Sequence, residues 1–286
     1  MALSFRPKQG PWRDRAAVVG SEGRALQTAK KNAAEPLLRD SRKDVTRIIC
    51  TAVFVFAAMV AHGGASAKLD PEEWLREAEA AYSRVTSYTT VLHKQQRVAG
   101  RLLPEETILL KCRRTPFSMY MKWIGRLNKG SELLYVAGWN EDRVRAHRGG
   151  ILRFLTRNLD PRDPRLMAGN LRPVTSAGIG YLLETVATNI RKAGRVGELT
   201  FSEHGAETVY GRNTQVLEVM FPKERAKDYI GYRFVINQDV ESKILVRIRV
   251  YDRDDQLIEN YGFENLDLNA PLADVEFDPK NPEYHF

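Results

Sequence analysis

From Tyr229 to Phe263 the apolar side chains fall on every second residue. Ile230, Tyr232, Phe234 and Ile236 do so first, then Ile244, Val246, Ile248 and Val250, with Arg247 and Arg249 between the later ones. Leu257, Tyr261 and Phe263 continue on one parity. A period of two over this length predicts strands with one buried and one wet face. The interruptions, Asn237-Gln238-Asp239 and Asp252-Arg253-Asp254-Asp255, are rich in turn-forming residues, so the strands should be antiparallel neighbours.

The same habit runs upstream. Strands are predicted over Tyr88–Val98, Leu102–Arg113, Phe117–Trp123, Glu132–Ala137, Arg143–His147, Leu199–Tyr210 and Thr214–Phe221. Gly149-Gly150 reads as a hairpin signal before a further strand, Ile151–Leu155. Two stretches keep helical spacing instead. Asp70-Pro71-Glu72-Glu73 opens the first with a capping side chain, a first-turn proline and carboxylates at the positive end of the dipole. Trp74, Ala78, Ala81, Tyr82 and Val85 then share a face. The second helix, about 179–193, carries Ile179, Leu182, Leu183, Val186 and Ile190 on one stripe and ends near Gly194. Asn158–Pro173 is the longest irregular piece, and 271–286 is a proline-rich tail with little periodicity.

Two helices cannot supply crossovers for ten or so strands, which excludes a parallel doubly wound sheet. The expected fold is α+β: a strongly curved antiparallel sheet forming an incomplete half-barrel, lidded by two or more helices on its concave face.

Charge changes the picture little. The net charge is +8, but residues 1–67 hold 11 of the 44 Lys/Arg and 5 of the 36 Asp/Glu, leaving 33 and 31 for the remainder. A mixed-sign surface offers little to a phosphate backbone, so no nucleic-acid partner is expected. Within the leader, Arg39, Arg42, Lys43 and Arg47 precede an apolar run, Ile48–Val60, that ends in small residues up to Ala67. That order describes a secretory signal peptide with cleavage after Ala67, and the run is shorter than the roughly 20 residues of a spanning helix. The expected organisation is a disordered extension over 1–46, ascribed to a start site assigned too far upstream, a signal core and cleavage site over 47–67, and one domain over 68–286. A periplasmic location follows. After cleavage only Cys112 remains, read as a structural thiol rather than a reactive one.

Three stretches carry a resemblance. Arg114-Thr115-Pro116-Phe117-Ser118-Met119-Tyr120-Met121-Lys122-Trp123, Asn170-Leu171-Arg172-Pro173-Val174-Thr175, and Glu276-Phe277-Asp278-Pro279-Lys280-Asn281-Pro282-Glu283-Tyr284-His285-Phe286 resemble the bacterial domain of unknown function 1571 family. The element order is similar to the lipoprotein carrier LolA and its relatives LolB and RseB, whose half-barrel has an apolar interior under helices. The resemblance implies a gating role for Arg114, with Arg113 the alternative, at the place where LolA has an arginine shortly before a proline, although Thr115 intervenes here.

Catalytic signatures are scarce. Ser176 lacks a G-x-S-x-G frame, the five histidines form no H-E-x-x-H, and Asp252–Asp255 lacks the glycine and glutamate of a calcium loop. No enzyme activity, cofactor or metal is expected. The apolar residues Met119, Met121, Trp123, Leu182, Leu183, Val186, Phe234, Val246 and Ile248 could instead line a cavity for an acyl chain. The same residues would serve equally as a solid core if the helices fill the barrel. The expected partner is a lipid or an acylated protein, with transient membrane contact. The alternative is an envelope sensor that binds a protein, and a cleft hydrolase is the third reading.

Overall fold

The structure, a computed structural model, describes residues 69–286. The readings made for 1–46, for the export segment and for cleavage after Ala67 lie outside those residues.

Helix α1 (Pro71–Ser83) starts where Asp70 accepts the backbone N–H of Glu72 at 2.9 Å. It leads into β1 (Ser87–Val98), which turns at Ala99-Gly100, both at positive φ, into β2 (Arg101–Leu102). Pro104 separates β2 from β3 (Glu106–Arg113), since proline has no N–H to give a ladder. Then come β4 (Ser118–Trp123), β5 (Glu132–Val136), β6 (Val144–His147) and β7 (Arg157–Leu159). The segment 160–174, here termed the strap, contains the short helix α2 (Pro164–Met167) and leads through a 3-10 turn (Val174–Ser176) to α3 (Ile179–Gly194). The second half runs β8 (Thr200–Val209), β9 (Arg212–Met220), β10 (Arg233–Asp239), β11 (Leu245–Tyr251) and β12 (Leu257–Leu268).

All twelve strands form one antiparallel sheet, ordered β7-β6-β5-β4-β3-β1-β12-β11-β10-β9-β8 with β2 hanging from β1. It does not close. Each half is a meander, and the halves meet where β1 pairs with β12. The free edges are blunted by side chains that discourage further pairing: Arg157 and Asn158 on β7, Glu203, His204 and Glu207 on β8.

The inner face carries Tyr88, Leu92, Leu110, Met121, Phe234, Ile236, Ile248 and Phe263, all buried against α1 and α3 in one apolar cluster. The two helices touch at Gly180, where a Cβ would stand 2.6 Å from the Tyr82 hydroxyl, so only glycine lets that ring approach. Arg191 bridges them further, its Nη2 2.8 Å from Glu79. Gly178 begins α3 without a side-chain cap of its own. The Tyr88 hydroxyl accepts the Ile179 N–H at 3.0 Å in its place. On the outer face the tail covers β4 and β5: the Tyr284 ring stacks on Tyr120 with centroids 3.8 Å apart, beside Leu134 and Phe277.

Two strand readings need correction. Ile151–Leu155 is not a strand; Gly150–Leu152 forms a 3-10 turn, and the edge strand is Arg157–Leu159. Ile151 and Phe154 face water, so no sheet face selects them. Asn237-Gln238-Asp239 does not break the sheet either. Asn237 Nδ2 donates to Thr214 Oγ1 at 3.1 Å and Gln238 accepts from Trp74 Nε1 at 2.7 Å, so β10 continues through these buried polar residues, with Asn237 Oδ1 the buried atom left unpaired there.

Candidate functional site

Toward the end of the sheet that carries the β1–β2 hairpin, the inner face changes from apolar to polar. Lys94 and Gln96 follow Leu92 on the inward parity of β1, Glu106 precedes Ile108 on β3, and Glu259 precedes Tyr261 on β12. These groups are bonded to one another and to the strap. Lys94 Nζ lies 2.6 Å from Glu106 and also donates to Asn170. Gln96 donates to the Tyr261 hydroxyl at 2.6 Å and accepts the Leu171 N–H at 3.3 Å. Arg172 Nη2 contacts both Glu259 oxygens, at 2.9 and 3.1 Å, while its Nη1 donates to the Tyr181 hydroxyl at 2.9 Å. The strap is thus latched over this end of the sheet by buried polar pairs.

Beneath it lies a cavity of about 930 Å³. Trp123, Leu133, Ala146 and Leu159 line it from β4 to β7, Leu166 and Val174 from the strap, and Leu152 and Leu155 from the β6–β7 loop. Lys94, Gln96, Glu106 and Asn170 make its polar end. Arg126, Lys129, Arg148, Arg157 and Arg165 add cations to its lining.

Both carboxylates of the lining are already neutralised. Burial opposes ionisation of Glu106, but Lys94, the Trp123 indole and the Asn128 amide together hold its carboxyl below the usual range. Burial likewise opposes ionisation of Glu132. The His147 ring 3.7 Å away, the hydrogen-bonded His285 and the Lys122 ammonium together outweigh it and hold that carboxyl far below normal. What remains unneutralised is positive. A hollow with apolar walls and spare cations suits an anionic amphiphile.

The loops around the opening pack backbone to backbone. At Gly149 a Cβ would stand 1.9 Å from the Lys129 carbonyl oxygen, and its N–H donates to Ser131 Oγ at 3.0 Å. Any other residue there would push the β6–β7 loop off the 126–131 loop.

The apolar candidates named from sequence separate into two places. Trp123 lines the cavity, its indole N–H donating to Glu106 at 2.8 Å. Met119, Met121, Leu182, Leu183, Val186, Phe234, Val246 and Ile248 are packed into the core between sheet and helices, away from the cavity. The strap, not the long helices, covers the hollow. Its wall residues were missed because Leu133, Ala146, Leu159 and Leu166 lie on short elements with too few turns of pattern. The polar latches did leave a trace: Asn170-Leu171-Arg172 is in one of the stretches that carried the family resemblance.

Arg114 lies elsewhere. It lines a second, smaller cavity of about 190 Å³ with Tyr82, Tyr88, Phe117 and Tyr181. Its Nη1 donates to three carbonyl oxygens at the end of α1. Cys112 borders the same space. Burial pushes its thiol up to about 11 against the pull of Tyr88 and Arg114, so it is no ready nucleophile.

A serine–histidine contact exists on the outside of β8, where Ser202 Oγ is 3.2 Å from His204 Nε2. The Glu218 carboxylate contacts that same Nε2, at 3.3 Å. A triad needs the acid on the other ring nitrogen, so this arrangement cannot relay a proton from the serine. Among the described residues no group of three or more His, Cys, Asp or Glu is placed to hold a metal ion. No described helix is long and apolar enough to cross a membrane.

Among solved structures, the crystal structure of MucB is similar at 17% identity and a TM-score of 0.45, covering 72% of this chain and 62% of that one. The Pseudomonas aeruginosa MucA/MucB complex gives 17% and 0.44, over 73% and 61%. The Mycobacterium tuberculosis lipoprotein LppX gives 14% and 0.44, over 73% of this chain and 100% of that one. The chain spans about three-fifths of the length of the MucB chains it matches. No curated protein matches it. The family model described as Protein of unknown function (DUF1571) matches residues 85–286, well over half of the sequence and all of the sheet, and the chain belongs to that family.

Proposed function

We propose that this chain is an exported, non-catalytic cell-envelope protein that holds an anionic amphiphile, either a lipid or the lipid of an acylated protein, in the cavity under the strap. One observation carries the reading: the hollow of about 930 Å³ has apolar walls, and its unneutralised charges are cationic. Its size suits a ligand site, which commonly spans roughly 300–1,000 Å³. Each methylene of a buried acyl chain contributes about 0.8 kcal/mol, and a carboxylate or phosphate headgroup would meet Arg126, Lys129, Arg148 or Arg157. The apolar run Ile48–Val60 with its small-residue end supports export to the periplasm.

The test is solvent extraction of the purified protein followed by mass spectrometry, together with titration of a fluorescent fatty acid. A co-purified anionic lipid and saturable uptake are expected, and Ala146→Phe, which projects a ring into the hollow, should weaken uptake. Neither lipid nor uptake in the parent protein would sink the reading. A stable envelope protein captured without any lipid would favour the sensor alternative.

A further inference from the structure

Four consecutive-neighbourhood apolar residues on one loop stay in water. Between β6 and β7, Ile151 is 88% exposed and Phe154 74%, with Leu152 at 42% and Leu155 at 44%. Scattered exposed apolar residues need no explanation, whereas a contiguous set of this size does. The loop is also one-sided in charge. Residues 143–159 contain five arginines and no Asp or Glu. Arg148, Arg153 and Arg157 are exposed, and none of them forms an ion pair among the described residues. Arg126 and Lys129 stand exposed on the adjoining loop. Internal turns present the tip: Arg153 N–H donates to Gly150 O at 3.3 Å and Leu155 N–H to Leu152 O at 3.0 Å. Gly149 seats its base against Lys129.

We propose that the tip Ile151-Leu152-Arg153-Phe154-Leu155 docks on an anionic lipid bilayer. Aliphatic and aromatic side chains enter the headgroup–acyl boundary, while the interleaved guanidinium groups stay among the phosphates. Leu152 and Leu155 also line the cavity, so docking would set its opening against the membrane. The proposal needs only the tip and goes beyond what the cavity holds.

The test uses the full chain with Cys50→Ser and Phe154→Cys, labelled with an environment-sensitive fluorophore; Cys112 is 1% exposed and stays unlabelled. Val240→Cys is the control site, 49% exposed in the β10–β11 turn, which lies in the other half of the sheet and at the opposite ends of its strands. Vesicles of phosphatidylglycerol should shift emission at 154 to the blue, less at high salt and little with phosphatidylcholine, with position 240 unmoved. Ile151→Asp with Arg153→Glu, neither lining the cavity, should raise the lipid needed for half the shift about tenfold or more. No shift at 154, an equal shift at 240, or a variant matching its parent would overturn the proposal and leave the tip to a protein partner. Loss of fatty-acid uptake with an intact shift at 154 would count against the cavity reading alone.

Discussion

Arg114 grips the end of α1 at Tyr82: its Nη1 donates to the Tyr82 carbonyl oxygen at 3.0 Å, and its guanidinium carbon lies 4.8 Å from the centre of the Tyr82 ring. The same nitrogen reaches Ser83 O and Val85 O, each at 2.9 Å, so one cation satisfies the carbonyl end of the helix. The side chain is solvent-accessible, which discounts the charge. Arg114→Ala should therefore cost about 1 kcal/mol, with Arg114→Lys recovering only part because an ammonium lacks the planar face that lies over the Tyr82 ring. Urea denaturation checks this; an unchanged midpoint in the alanine variant would show that the grip contributes nothing.

The Arg172–Glu259 pair should behave as a buried unit. The Glu259 side chain is 3% exposed and that of Arg172 16%. Burial pushes the Glu259 carboxyl up despite the neighbouring guanidinium. Arg172→Ala strands that carboxyl and should cost about 3–5 kcal/mol. Replacing both, Arg172→Met with Glu259→Leu, should restore most of the loss. A double-mutant cycle on unfolding free energies reads the coupling, and strict additivity would refute it.

Stability should peak in mildly acidic solution through the group that anchors the tail. Glu132 accepts the His285 backbone N–H at 3.1 Å and lies 3.1 Å from Lys122 Nζ. Its folded carboxyl ionises below the ordinary 4.5, so its contribution is complete above that pH and is lost as the pH falls below it. Burial disfavours the His147 imidazolium, but Glu132 and the Arg148 carbonyl outweigh burial and raise its pKa above 6.5. That contribution is complete below 6.5 and is lost as the pH rises through the folded value. Melting temperatures across pH should fall on both sides of this window, and Glu132→Gln should flatten the acid side. An identical acid side in the variant would disprove the assignment.

The tail is also held by its ring. Tyr284 is 8% exposed, stacks on Tyr120 and donates its hydroxyl to Glu276 O at 2.8 Å. Tyr284→Ala should cost about 3 kcal/mol and Tyr284→Phe about 1 kcal/mol. Limited proteolysis should then cut the alanine variant first within 271–286. Equal resistance in both variants would remove the stack from the account.

Much of the sheet was legible because its strands are long enough for alternation to accumulate. The run from Phe234 to Phe263 became β10, β11 and β12 with the expected faces inward. The amphipathic stripe of 179–193 likewise became α3. The cavity was not legible. Its walls come from three-to-six-residue strands and an irregular strap whose order rests on Lys94, Gln96 and Glu259, side chains on the paired strands β1 and β12 that lie 75 to 87 positions in sequence from the strap residues they hold. Periodicity finds the side chains that a sheet face selects. It gives no guide to Ile151 and Phe154, which no face selects, and the Gly149-Gly150 hairpin signal alone suggested a strand there.

The adjacency of the first and last long strands has a consequence for how the molecule is made. Thr90 hydrogen-bonds to a residue 174 positions further along, at Glu264, so the central seam requires nearly the whole polypeptide. Each meander can assemble from near neighbours, but joining them closes a very large loop and should come late and slowly. A nascent chain arrested before Leu257 would present the unpaired border of β1 to any passing strand. Synthesis must therefore pass β12 before the two sides can be sewn together.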